Sequence, residues 1–192
     1  MGINDNNKPN HTTILPFTRL VSSPMDYTSG IFNLTEYRYF APDNRKINLN
    51  HQIPSTISKE LALYVVIYAP IQMAADLPEN YTGHPAFQFI KDVPTDWAQS
   101  ICINGEIGKY ITMVRKDINS SDWYLGSITN ESKRELNIDL SFLDKDKKYN
   151  ATIYKDPESG GWQTNPEEIV IENQSVSSDS NLIIKLPSGG GQ

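Results

Sequence analysis

The chain changes its hydrophobic period once, near Pro94, and that switch constrains the fold more than any other feature. Beyond it, "SICIN", "KYITMVRK", "WYLGSIT", "ELNIDLSF", "YNATIYK", "EEIVIEN" and "NLIIKLP" are short runs rich in β-branched and aromatic residues. Polar turns such as "DINSSD", "NESK" and "DKDKK" separate them. In "LNIDLSF", Leu136, Ile138, Leu140 and Phe142 alternate with Asn137, Asp139 and Ser141, one face dry and the other wet. These seven runs predict an antiparallel β-sandwich over 95–192, closing in a flexible "PSGGGQ" tail.

Before Pro94 the period is helical. Leu15, Phe17, Leu20 and Val21 predict a short helix over 12–21, with Thr12 or Thr13 as cap and Pro16 in the first turn. "MDYT" is strand-like, and Gly30 opens a polar stretch rich in turn residues. Ile57, Leu61, Tyr64, Tyr68 and Ile71 then recur at spacings of three or four. They predict a helix over 55–75, capped by Ser55 or Thr56 and kinked by Pro70. That helix is apolar on nearly all sides and must be covered. The class is α+β, and the strand near 25–28 needs partners, because a buried unpaired backbone group costs about 1–3 kcal/mol.

Composition narrows the function. The 192 residues, 38% of them hydrophobic, suffice for a packed core. A net charge of −6 without a Lys/Arg-dense stripe argues against a nucleic-acid partner. "LALYVVIYAPIQMAA" is too short to span a bilayer and is interrupted by Pro70, which argues against a membrane partner. The N-terminus has no basic run followed by an apolar one, so it is not a signal or transit peptide. The single Cys102 excludes an internal disulfide, and its apolar neighbours read it as a small core residue.

Several long blocks in order, "HTTILPFTRLVSSPMDYTSGIF", "LALYVVIYAPIQMAADLPENY", "AFQFIKDVPTDW", "DWYLGSITNES" and "FLDKDKKYNATIYKD", resemble the C-terminal part of glycoside hydrolase family 97. Members of that family are calcium-dependent α-glucosidases and α-galactosidases, built as a β-sandwich, a (β/α)8 barrel and a second β-sandwich. The resemblance implies that 1–94 is the C-terminal remnant of the barrel: helix 7 over 12–21, strand 8 over 25–28 and helix 8 over 55–75. It implies that 95–192 is the last sandwich. The partners of strand 8 would then belong to a missing N-terminal portion, with Met1 an internal methionine. The acid, the base or nucleophile and the calcium ligands would all lie upstream, leaving no catalytic and no metal residue in this chain. Calcium would serve the parent enzyme and not this chain alone, which is expected to be inactive. The resemblance further implies an oligosaccharide substrate and a periplasmic or secreted location. The expected partner is the missing barrel portion or a second copy. The rival readings are a carbohydrate-binding or a purely structural β-sandwich.

On this alignment Asp26 and Tyr27 fall near the C-terminal end of the last barrel strand, the face that hosts barrel active sites. Asp26 reads either as a substrate-pocket wall beside Tyr27 or as a hydrogen-bonded residue holding the following loop. Asp76 and Glu79 form a tempting acid pair, but their Leu-Pro turn favours bonds to backbone N–H groups. Arg19 reads as the partner of an unnamed carboxylate or as a solvated side chain. His11, His51 and His84 lack metal-ligand spacing and read as surface histidines. Trp97 and Trp123 read as interface and core residues. Trp162, in the Gly-rich "PESGGWQTNP", is placed at a hairpin tip as a candidate ligand contact.

Overall fold

The computed structural model describes residues 8–35 and 52–192. Among the described residues four short α-helices, α1 (Arg19–Ser22), α2 (Ile57–Val66), α3 (Pro78–Tyr81) and α4 (Phe87–Asp92), precede seven strands. These are β1 (Trp97–Glu106), β2 (Tyr110–Asp117), β3 (Trp123–Thr129), β4 (Arg134–Asp139), β5 (Tyr149–Lys155), β6 (Val170–Val176) and β7 (Asn181–Leu186). All pairings between strands are antiparallel, in the orders β1-β2-β3, β4-β7 and β5-β6, so the β5–β6 hairpin is inserted between two paired strands. The antiparallel β domain is therefore as the period predicts. Ile138 and Leu140 point into its core while Asn137, Asp139 and Ser141 are exposed.

Helix α2 sits on β2 and β3, and the two halves of the chain share a core there. Met25, Leu63, Val66 and Ile67 pack with Ile111 and Ile128. Gly126 lets the helix approach, since a Cβ at that position would stand 2.7 Å from the Ala62 carbonyl oxygen. Thr56 caps the helix by accepting the Lys59 N–H at 3.1 Å. At the other end the Arg115 Nε donates to the Val65 carbonyl, and its guanidinium lies over the Tyr68 and Trp97 rings at 5.5 and 5.9 Å. A cation there complements the negative end of the helix.

Several expectations are corrected. The helix over 12–21 is two 3-10 turns, His11–Thr13 and Leu15–Phe17, followed by α1, because Pro16 has no N–H for the Thr12 carbonyl. The helix over 55–75 stops at Val66. Pro70 disfavours helix at Ala69 and has no N–H for the Val66 carbonyl. The chain beyond runs beside 25–29, with the Met25 N–H on the Tyr68 carbonyl at 3.2 Å and the Ala75 N–H on the Ser29 carbonyl at 3.0 Å. The strand expected over 25–28 is not formed: the segment is extended, and only Ser29 makes a bridge, parallel, to Ala74. All ten residues of α2 are buried within the chain, whereas Ile71 and Met73, beyond its end, are exposed. Cys102 is exposed, because β1 is an edge strand with much of both faces open to solvent.

The C-terminal tail is not flexible. It lies along β3 through one antiparallel bridge, Ile128–Gly191, with Thr129 N–H donating to the Gly190 carbonyl at 3.1 Å and Ser127 exchanging two bonds with Gln192 at 2.8 and 2.9 Å. Its glycines are needed for close approach: added Cβ atoms at Gly190 and Gly191 would stand 2.3 Å from the Asp156 carboxylate and 2.5 Å from the Lys59 Cα.

Candidate functional site

The segment that carries Asp26 and Tyr27 is fixed from behind by three carboxylates. Six consecutive backbone N–H groups, 30 to 35, are bound in pairs. Glu60 Oε2 accepts from Gly30 and Ile31 at 3.0 and 3.4 Å. Asp76 Oδ2 accepts from Phe32 and Asn33, both at 2.8 Å. Glu167 Oε1 accepts from Leu34 and Thr35, both at 2.8 Å. Charge-assisted bonds of this kind are about twice as strong as neutral ones. Glu60 comes from α2, Asp76 from the turn before α3, and Glu167 from the loop before β6, so the β domain contributes directly to holding the loop after Tyr27.

Asp26 is exposed and Tyr27 half-buried against the α2 core. Burial, with the Glu60 carboxylate adding to it, holds the Tyr27 phenol well above its ordinary value, so it acts as a neutral hydroxyl. Asp76 is the N–H-binding turn residue expected, with its second oxygen taken by the Leu77 N–H and the Asn80 amide. Asp76→Asn, which keeps the shape but not the charge, is expected to lower stability by about 2 kcal/mol in urea unfolding. An unchanged midpoint would contradict this role.

Behind the site lies a buried ionic cluster. The Lys59 ammonium, fully enclosed, donates to the Pro9 and Thr129 carbonyls at 2.9 and 3.0 Å. Burial lowers it to about 8, against the pull of Glu60, Glu131 and Asp156. Asp156 accepts the Gly191 N–H at 3.0 Å, and burial, outweighing that bond and Lys59, pushes its carboxyl up to about 6. Burial also raises Glu60, which Ser55 binds at 2.6 Å.

The remaining candidates do not join this group. Trp162 lies in the loop that joins β5 to β6, as expected, but it is folded back: it is half-buried, bonded through its backbone to Ser188 and the Gln52 amide, and its ring closes over Gly189. Arg19 is exposed and bonds Ser23 Oγ at 2.7 Å in place of a carboxylate. His84 is a packing residue, 4.7 Å from the Phe32 ring centroid, with its imidazolium disfavoured by burial. His11 is half-buried, and His51 lies outside the described residues. Trp97 lies against Tyr124, and Trp123 packs on Phe142 in the core. Among the described residues no three His, Cys, Asp or Glu side chains are grouped so as to hold a metal ion. No helix among them is long and apolar enough to cross a membrane.

Fold and site together define a C-terminal β domain that shares a core with a helical segment and braces its loop. A family profile described as "Glycosyl-hydrolase 97 C-terminal, oligomerisation" matches residues 96–192, and the chain belongs to glycoside hydrolase family 97. It is 35% identical over 183 residues to a retaining alpha-galactosidase of Bacteroides thetaiotaomicron, covering 94% of this chain and 26% of that protein. It is 30% identical over 121 residues to a probable retaining alpha-galactosidase of Streptomyces bingchenggensis, covering 62% of this chain and 16% of that protein. Solved structures of a family 97 enzyme from Pseudoalteromonas sp. strain K8, in complex with panose and with acarbose, match at 44% identity with a TM-score of 0.87. The match covers 96% of this chain and 28% of the enzyme. The chain thus spans about a quarter of the length of the relatives it matches most extensively.

Proposed function

We propose that this chain is the C-terminal part of an α-glycosidase that hydrolyses terminal α-glucosidic or α-galactosidic bonds, with 1–94 the end of its (β/α)8 barrel. The observation that carries this is the match to the Pseudoalteromonas enzyme over 96% of the chain, which takes in the helical segment as well as the β domain. In this reading Asp26 and Tyr27 stand at the mouth of the completed barrel as pocket wall, and Trp162 stays a remote contact at most. Calcium and the two catalytic carboxylates are held by residues outside this chain, so the chain alone turns nothing over. The β domain seals the barrel end and carries self-association, in line with the matched domain's description as oligomerisation. The parent works in the periplasm or outside the cell.

The test is a hybrid in which this chain replaces the matching C-terminal quarter of the Pseudoalteromonas enzyme. The hybrid is expected to hydrolyse panose or an α-galactoside with calcium, while the chain alone releases nothing from nitrophenyl α-glucoside or α-galactoside. Turnover by the chain alone, or a folded hybrid without activity, would overturn the reading.

A further inference from the structure

We propose that the open edge of β1 is the surface through which this chain pairs with a second copy of itself. The proposal rests on the self-association assigned above to the β domain and names the strand that carries it. A strand at the edge of a sheet presents a row of unpaired backbone N–H and C=O groups to whatever can pair with them. β1 pairs with β2 on one side, and among the described residues no strand lies on its other side. At ten residues it is also the longest of the strands described.

Edges that must stay single are blunted by charge, proline, shortness or a covering segment. From Trp97 to Gly105, β1 carries no charge and no proline. The strands of the two-stranded sheets, whose edges are also open, are charged: Arg134, Glu135 and Asp139 on β4, Lys155 on β5, Glu172 on β6 and Lys185 on β7. β3 is uncharged as well, but β2 lies on one side of it and the tail on the other, through the Ile128–Gly191 bridge. Among the described strands β1 is therefore the uncharged edge left open, and its Ala98, Gln99, Ser100 and Cys102 are exposed.

The same features select the occupant. The profile described as oligomerisation begins at residue 96, beside the first residue of β1. A neutral edge offers no charge by which to choose a foreign peptide, whereas antiparallel pairing of two identical strands needs only a two-fold axis between them. Register shifts at Trp97/Gln99 and Cys102/Asn104 leave Gln99–Cys102 as the regular stretch, so pairing centres there and the interface is modest. The joined sheet runs β3-β2-β1 in one copy and β1-β2-β3 in the other. Its far edges are closed by the tail, whose Gly189, Gly190 and Gly191 are buried, so the assembly stops at two copies.

Sedimentation velocity of the whole chain under reducing conditions tests this from about 1 to 200 μM, a range that spans the affinity of a modest interface. A monomer–dimer equilibrium is expected, with slower hydrogen exchange of the 98–102 amides at the high concentration. In the paired state a charge placed on β1 lies near its own image in the other copy, where screening is incomplete. Gln99→Lys with Cys102→Lys should therefore weaken association at least about tenfold, as should Gln99→Glu with Cys102→Glu, while an equimolar mixture of the two double variants restores it. An undiminished dimer in both double variants with native circular dichroism, or 98–102 amides that exchange equally at both concentrations, would overturn the assignment to β1 and leave self-association to another face. Weakened association that mixing does not restore would overturn it too. A chain that stays monomeric throughout would overturn the self-association itself, and this proposal with it.

Discussion

Replacing Gly191 with valine is expected to cost about 3 to 5 kcal/mol of stability, lowering the thermal midpoint by roughly 10 °C. A Cβ at this position would stand 2.5 and 2.9 Å from the Lys59 Cα and N, which are backbone atoms of a buried helix. Neither can step aside, so the tail must lift. Lifting it breaks the Gly191–Asp156 bond and the two-bond exchange between Gln192 and Ser127, and wets the Lys59–Asp156 cluster. Gln192→Ala keeps the backbone pairing and should stay within about 0.5 kcal/mol of the parent. Paired thermal scans decide the matter: a valine variant that melts with the parent would mean the tail is dispensable.

What could be read from the sequence, and what could not, follows from the range of the interactions. The β domain was legible because period-2 alternation is local: "LNIDLSF" states its own faces. The helix over 55–75 was overextended because Tyr68 and Ile71 keep the helical spacing beyond the true end. Only Pro70 and the parallel contact with 25–29 say that the chain has straightened. "PSGGGQ" has the composition of a linker. Its glycines are there for contact with Asp156 and Lys59, partners 34 and 132 residues away (190 − 156 and 191 − 59), which no local pattern reveals. Of the loop-binding carboxylates, Asp76 was legible from its turn. Glu167 was not, since it binds a segment 132 residues upstream of it. One signal was passed over: "SKE" places two charges inside an otherwise apolar helix, which calls for buried partners.

Those long-range contacts form one mechanical series. The tail holds Asp156 and the first turn of α2; α2 carries Glu60; Glu60 fixes Gly30 and Ile31, just after Asp26 and Tyr27. Gly30 itself must be glycine, with φ +91° and the Tyr64 hydroxyl 2.3 Å from where a Cβ would stand. The β domain is in this way tied to the segment just after Asp26 and Tyr27.

The buried ammonium at the start of that series gives the second large effect. Lys59→Met fills the same volume but leaves the Pro9 and Thr129 carbonyls unpaired and Asp156 without its counter-charge. It should cost about 3 to 5 kcal/mol near neutral pH. The cost should depend on pH with a definite sign. Asp156 is raised to about 6 in the folded chain, so its contribution to stability is fully present below its unfolded value and is lost as pH rises through 6. Without Lys59 its folded value rises further, so the variant loses more over the same interval, and the gap to the parent widens from pH 5 to pH 7.5. Lys59 itself, lowered to about 8, works in the other direction: the cost of burying its charge is present below 8 and is relieved between 8 and its unfolded value. Above pH 8 the parent therefore gains relative to a variant that has no ammonium to neutralise. Urea unfolding of the parent, Lys59→Met, Asp156→Asn and the double variant at pH 5 and 7.5 measures both the gap and the coupling. A gap that narrows with rising pH, or single-variant costs that simply add, would show that the two charges do not act as a pair.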